Sequence, residues 1–252
     1  MEQDQSASVE GLRIIVTGAA RGIGLSTVRE LCSSGAEVVA VDVDADELAI
    51  ADLPDRATAL AADLRDIDGI PGLITRASDA LGGVDGLVNV AGVIRRRDDV
   101  DDVTEQDWDL QHDVNLKAPF FLCRAFRDQV RRQGSAGSIV LFSSQGWWSG
   151  GFGGSVVYAA SKGGVVSLTR GLARTFAPDR IRVNCIAPGL IDTRMMSDGL
   201  DDAARAGLLS TIPLGRLGDP EEVAKAATYL VSRSASYITG ATLNVSGGQL
   251  MY

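Results

Sequence analysis

Short apolar runs rich in β-branched residues recur along the chain, each followed by a longer amphipathic stretch. This alternation constrains the fold more than any other feature. LRIIVTG (12–18), AEVVAVD (36–42), ATALAAD (57–63), VDGLVNVAG (84–92), GSIVLFSS (137–144), IRVNCIAPG (181–189) and ATLNV (241–245) read as strands. Most are apolar throughout rather than alternating, which is the pattern of a parallel sheet covered on both faces. Helical stretches fall at 22–34, 44–52, 66–81, 105–133, 157–177 and 219–232. Gly35, Gly134 and Gly137 mark stops, and Asp219-Pro220-Glu221-Glu222 marks a start. Seven strands alternating with helices predict a doubly wound α/β fold with helices on both faces of one parallel sheet.

No internal repeat or linker interrupts the 252 residues, so one domain is expected over 11–252, preceded by a frayed tail at 1–10. That tail is polar and acidic, without the basic and apolar regions of a signal peptide. No apolar run approaches the ~20 residues of a membrane span, so a cytoplasmic location is expected. Residues 190–215 depart from the alternation with short helical pieces between Gly and Pro, which suggests a lid over a site. The 33 acidic residues outnumber the 24 basic ones, giving a net charge of −9. Such a field argues against nucleic acid and anionic membranes as partners. Cys32, Cys123 and Cys185 are far apart and odd in number, as expected of buried, reduced thiols.

The first strand runs directly into TGAARGIG, with Gly18, Gly22 and Gly24 leading into a helix. In that context the glycines let backbone approach a pyrophosphate, whose charge the helix N-terminus stabilises. Arg21 and Ile23 belong to the same turn. The second strand ends at Asp42, where a carboxylate can accept bonds from both ribose hydroxyls of an adenosine and would repel a 2′-phosphate. Arg21 argues the other way, because a guanidinium could meet that phosphate. Asp42 occupies the strand end, so NAD is the expected cofactor, on a Rossmann-type domain.

Tyr158 and Lys162 stand four residues apart in SVVYAASKGG (155–164), with only small residues between them. Helical spacing places both on one face. A free tyrosine has a pKa of ~10 and is a poor base at neutral pH, whereas a nearby ammonium favours phenolate. Lowering that pKa by about three units takes ~4 kcal/mol of differential stabilisation. The pair therefore suggests a phenol made acidic enough to take up a proton as its phenolate near neutral pH.

Taken together, TGAARGIG, NVAG (89–92), Asn115, Ser144, YAASK (158–162) and PGLIDT (188–193) resemble the short-chain dehydrogenase/reductase family, in order and spacing, from Leu12 to Gly248. The resemblance implies Tyr158 as acid/base, Lys162 as its partner and ribose ligand, Ser144 as holder of the reacting oxygen, and Asn115 as anchor of a proton-relaying water. It further implies adenine contacts at Asp63 and Leu64, cofactor contacts at Asn89, Ala91 and Gly92, and carboxamide-end contacts along Pro188, Gly189, Ile191 and Thr193. A homotetramer is implied in the same way. Two positions depart from the pattern: Val90 replaces a second Asn, and Ser246 replaces an Asp before Gly-Gly. Ser143 and Ser144 compete for one role, with the second fitting the family register better.

Metal chemistry is not expected: His112 is the sole histidine, and no Cys/His cluster exists. A serine-hydrolase reading fails because Ser144 lacks a glycine-flanked nucleophile elbow. Arg95, Arg96 and Arg97 follow a strand end, where such sheets bind ligands, and arginine pairs with carboxylates. With Asp107-Trp108 beyond them, they resemble the family's sugar-acid branch, acting on deoxygluconate or keto-deoxyuronate. A solvated run balanced by Asp98, Asp99, Asp101 and Asp102 is the competing reading. The loop SSQGWWSGGFGG offers Gln145, Trp147, Trp148 and Phe152 beside Ser144. Arg95, Ser144, Gln145, Trp148 and Tyr158 are the expected substrate residues, and a polyol, sugar or sugar acid is the favoured substrate. A 3-oxoacyl thioester, a cyclic alcohol and an NAD-binding regulator without turnover stand as alternatives.

Overall fold

The computed structural model describes residues 9–194, 207 and 209–252. Seven strands form one all-parallel sheet in the order β3-β2-β1-β4-β5-β6-β7. They are β1 (Arg13–Thr17), β2 (Glu37–Asp42), β3 (Ala57–Ala61), β4 (Gly86–Asn89), β5 (Gly137–Phe142), β6 (Ile181–Pro188) and β7 (Thr242–Val245). The intervening helices are α1 (Gly22–Ser33), α2 (Ala45–Ile50), α3 (Ile70–Leu81), α4 (Glu105–His112), α5 (Ala118–Gln133), α6 (Gly146–Ser149), α7 (Val156–Phe176) and α8 (Pro220–Val231). This is the expected doubly wound architecture.

Because both faces of the sheet are covered, alternate residues of the five inner strands feed two separate cores. Ile15, Leu87, Ile139 and Val183 pack with α3, α5 and α7 on one face. Ile14, Val16, Val88 and Val140 pack with α1 and α8 on the other. This two-sided burial is why the strands read as continuous apolar runs. Strand order reverses direction between β1 and β4, and the crevice at that switch point is where such sheets bind ligands.

Three sequence expectations change here. The stretch 105–133 is not one helix: α4 and α5 are separated by a π-helical turn, Asp113–Lys117. Pro119 lies just inside α5 and has no N–H to give the Asn115 carbonyl four residues back. Val9 was placed in the tail, yet it is fully buried, and Gly11 N–H donates to the Gly35 carbonyl at 3.0 Å. The helical start expected at residue 66 falls at Ile70, after Asp66 caps the Gly69 amide at 3.1 Å. Half of the expected lid, residues 195–206 and 208, lies outside the described residues. Its flanks are anchored by an Ile191–Gly218 bridge and by Leu214 N–H donating to the Gly247 carbonyl at 3.1 Å.

Candidate active site

A cleft of about 700 Å³ runs along the carboxyl ends of the strands, from Asp63 and Arg65 at one end to Tyr158 and Phe152 at the other. Its floor is the glycine turn. Gly18 has φ +69°, and a Cβ there would sit 2.7 Å from the Ala91 nitrogen, so the loops after β1 and β4 touch only because neither Cβ nor ordinary backbone geometry is required. A Cβ on Gly24 would lie 1.8 Å from the Gly18 carbonyl oxygen, which explains the glycine that opens α1. Gly18, Arg21, Gly22, Ile23 and Gly24 all line the cleft.

At the far end of that floor the Asp42 carboxylate accepts the Ala20 N–H at 3.0 Å and the Asp44 N–H at 3.1 Å. Glu47 of α2 pairs with Arg21 and, at 3.2 Å, with Arg194. One carboxylate thus engages both guanidinium groups beside Asp42. Asp63 and Leu64 also line the cleft, although Arg65 grips the Asp63 carboxylate and holds its pKa below the usual carboxylate range. Ala91, Gly92, Pro188, Gly189, Ile191 and Thr193 border the middle. Asn89 does not reach the cleft: it is buried, and its Oδ1 accepts the Thr17 hydroxyl proton at 2.7 Å. Its place is the support under the floor.

The chemistry-bearing end is built from β5, α7 and the π-helical turn. Ser143 turns inward and donates to the Lys162 carbonyl at 2.8 Å. Ser144, one residue on, lines the cleft with Tyr158 and accepts the Gly146 N–H at 3.2 Å. Geometry therefore separates the two serines. Lys162 is buried, and its Nζ donates to the Phe142 carbonyl at 2.9 Å while lying 5.6 Å from the Tyr158 ring centroid. Desolvation lowers its pKa to about 8. Burial raises the Tyr158 pKa, opposed by the Ser144 hydrogen bond and by the charge of Arg96. The sequence reading gave an opposing role to Lys162; that ammonium lies over the Tyr158 ring while bonding a main-chain carbonyl, and Arg96 adds positive field from the cleft wall.

Asn115 is buried in the π-helical turn, where its side chain brackets Val93: Oδ1 accepts the Val93 N–H at 2.8 Å and Nδ2 donates to the Val93 carbonyl at 2.9 Å. Nδ2 also lies 3.1 Å from the Ser161 hydroxyl oxygen. The side chain is thereby committed to the loop after β4, which leaves its main-chain carbonyl as the group for any water. A Cβ on Gly92 would stand 3.2 Å from both Asn115 Oδ1 and Lys162 Nζ, so these groups share one small space.

Two expected substrate residues are misplaced. Arg95 is exposed and does not line the cleft, whereas Arg96 does. Arg97 is bound bidentately by Asp107 at 2.8 and 3.0 Å. Trp148 is also outside; with Trp147 it packs against Tyr252, while Phe152 takes the position on the cleft wall. Gln145 is where it was expected, buried on the wall beside Ser144, with its side-chain oxygen lacking a hydrogen-bond partner. Val93, Ile94, Leu110 and Val114 add an apolar wall that the sequence reading did not include. His112 stacks on Trp108 at 4.2 Å between centroids. Among the described residues no group of His, Cys, Asp and Glu could hold a metal ion, and no helix is long and apolar enough to cross a membrane. Burial pushes the Cys32 thiol to about 11 and the Cys185 thiol to about 12, as inert buried thiols require.

A dinucleotide cradle joined to a Tyr–Ser–Lys constellation on a doubly wound sheet defines a nicotinamide-dependent oxidoreductase. A family profile described as Enoyl-(Acyl carrier protein) reductase matches residues 18–249. The 2-dehydro-3-deoxy-D-gluconate 5-dehydrogenase of Escherichia coli (strain K12) is 36% identical over 247 residues, covering 96% of this chain and 97% of that protein. A 3-oxoacyl-(acyl-carrier-protein) reductase of Thermotoga maritima is 38% identical over 247 residues, covering 95% of this chain and 98% of that one. Among solved structures, a candidate 2-deoxy-D-gluconate 3-dehydrogenase of Agrobacterium tumefaciens with bound NADP superposes with a TM-score of 0.87, at 39% identity, covering 98% of this chain and 99% of that one. The chain belongs to the short-chain dehydrogenase/reductase family, and its relatives include a sugar-acid dehydrogenase.

Proposed function

We propose that the protein is an NAD-dependent dehydrogenase of secondary alcohols, with polyols, sugars or sugar acids as its substrates. The observation that carries this reading is that Ser144, Tyr158 and Lys162 stand together on the wall of the glycine-floored cleft. A substrate hydroxyl placed between Ser144 and Tyr158 donates its proton to the Tyr158 phenolate and accepts a hydrogen bond from the Ser144 hydroxyl. As the proton leaves, the oxygen–carbon bond becomes a carbonyl. When bound, the oxidised nicotinamide accepts hydride from the carbinol carbon. Lys162 holds positive charge beneath the phenol and faces the space bordered by Gly92, where ribose hydroxyls would meet it. The apolar wall of Val93, Ile94 and Leu110 excludes water, which strengthens each of these electrostatic contacts.

Preference for NAD is supported by two carboxylates. Asp42 holds the ribose end of the floor, and Glu47 occupies both arginines that could otherwise meet a 2′-phosphate. Placing a phosphate of about −1.5 to −2 charge there would add like-charge repulsion. The test is steady-state oxidation of a panel of polyols, sugar acids and cyclic alcohols with each dinucleotide, followed by reduced-nicotinamide absorbance. Higher kcat/KM with NADP would overturn the cofactor assignment. Thermal stabilisation by NAD with no turnover across the panel would favour a binding protein without turnover. Reduction of 3-oxoacyl thioesters is a second reading, favoured by the 38% identity to a reductase so named. Faster reduction of a 3-oxoacyl thioester than oxidation of any alcohol would establish it.

A further inference from the structure

Three consecutive arginines leave β4, and the fold gives them three different fates. The Arg95 main-chain N–H donates to Gln111 Oε1 at 3.0 Å, and its side chain is outside the cleft. The Arg97 N–H donates to the Gly154 carbonyl at 3.1 Å, and its guanidinium is saturated by Asp107. A Cβ on Gly154 would collide with the Arg97 carbonyl at 1.9 Å, so the two loops are pressed together there. Bracing on both sides fixes the backbone between them and sends Arg96 into the cleft, on the wall shared with Phe152, Gln145 and Tyr158. Among the described residues no hydrogen bond or ion pair engages the Arg96 guanidinium, although Asp98, Asp99, Asp101 and Asp102 follow within six positions. In a chain of net charge −9, an arginine kept clear of carboxylates beside the phenol is a receptor for a ligand's charge.

We propose that Arg96 is the anion receptor of the substrate site, pairing with a carboxylate carried by the same molecule whose hydroxyl meets Tyr158. This rests on the reading of the cleft as an alcohol dehydrogenase site and narrows its substrates to hydroxy acids and their keto counterparts. Geometry also assigns Gln145 a place, since its unpartnered amide oxygen stands ready for a further hydroxyl once the amide turns toward the cleft. Arg96 and Tyr158 line the same cleft, so receptor and reacting oxygen face one bound molecule.

The test uses a matched pair of ligands that share a six-carbon polyol chain and differ in charge, gluconate and glucitol. Each is titrated calorimetrically into the enzyme saturated with reduced NAD. Wild type is expected to bind gluconate about tenfold or more tightly than glucitol. Arg96→Gln should bring gluconate to within about twofold of glucitol and leave glucitol unchanged, while Arg96→Lys keeps part of the preference. Arg95→Gln, outside the cleft, should change neither. Equal binding of the two ligands by wild type, or a gluconate affinity indifferent to Arg96→Gln, overturns the proposal. Failure of the dehydrogenase reading looks different: the ligands bind in an Arg96-dependent way, yet wild type oxidises no alcohol in the panel.

Discussion

Lys162 is the most expensive side chain in the site. Holding its amine at about 8 rather than the ordinary 10.5 costs roughly 3 kcal/mol while the group is charged. The bond to the Phe142 carbonyl returns about 1 kcal/mol of that. Lys162→Met is therefore expected to stabilise the chain by about 2 kcal/mol at pH 7 in urea denaturation while impairing both dinucleotide binding and turnover. The pH dependence has a definite sign. Between about 8 and 10.5 the unfolded lysine binds a proton that the folded one has released, so wild-type stability rises with pH through that window. The gain from Met should be constant below pH 8 and fade above it. A variant less stable than wild type at pH 7, by a pH-independent margin, would contradict this account of Lys162. The same residue shows what a motif conveys: the spacing of Tyr158 and Lys162 was readable, but the partner of the ammonium was not, because Phe142 lies on β5, outside the helix that carries the motif.

Elements were legible where burial is periodic and obscure where one residue changes a direction. The two-sided apolar runs announced the five inner strands, where neighbours such as Ile14 and Ile15 both disappear from water, while the edge strands β3 and β7 stay partly exposed. The π-helical turn at Asp113–Lys117 was invisible, because one extra residue per turn barely disturbs a helical pattern over 29 positions. It nevertheless decides where Asn115 points. Arg95 was expected where Arg96 stands for a related reason: which of three consecutive side chains turns inward depends on braces from Gln111 and Gly154, remote in sequence. Trp148 was misassigned because its partner, Tyr252, comes from the far end of the chain. The end of α8 rests on another such remote contact. Arg182 of β6 donates to the carbonyls of Leu230, Val231 and Ser232 at 2.8, 3.2 and 2.9 Å, closing the helix C-terminus in place of a glycine cap. Arg182→Met should cost about 2 kcal/mol in denaturant unfolding, by removing the guanidinium from the Val231 carbonyl and one of two donors from the Leu230 and Ser232 carbonyls. A loss below about 0.5 kcal/mol would show that water or relaxation replaces the guanidinium.

At the scale of the whole molecule, the sheet, its switch point and the glycine floor place three groups along one trench: the Asp42 carboxylate proposed to meet ribose, the Tyr158 phenol proposed to move the proton, and the Arg96 guanidinium proposed to receive a carboxylate. The helices that bear the site also present apolar surface, with Trp108 of α4 and Phe120 of α5 exposed. Association of four copies through those helices is the expected outcome of light scattering, and a monomer at micromolar concentration would contradict it. Everything in the trench converges on one oxygen atom, the Tyr158 phenol. Replacing it by Tyr158→Phe removes the proton acceptor and retains the ring, so dinucleotide affinity measured by fluorescence titration should stay within about threefold of wild type. Turnover of the best alcohol substrate should fall about a thousandfold or more. Turnover above a few per cent of wild type, with the dinucleotide still bound, would contradict the claim that this phenol moves the proton.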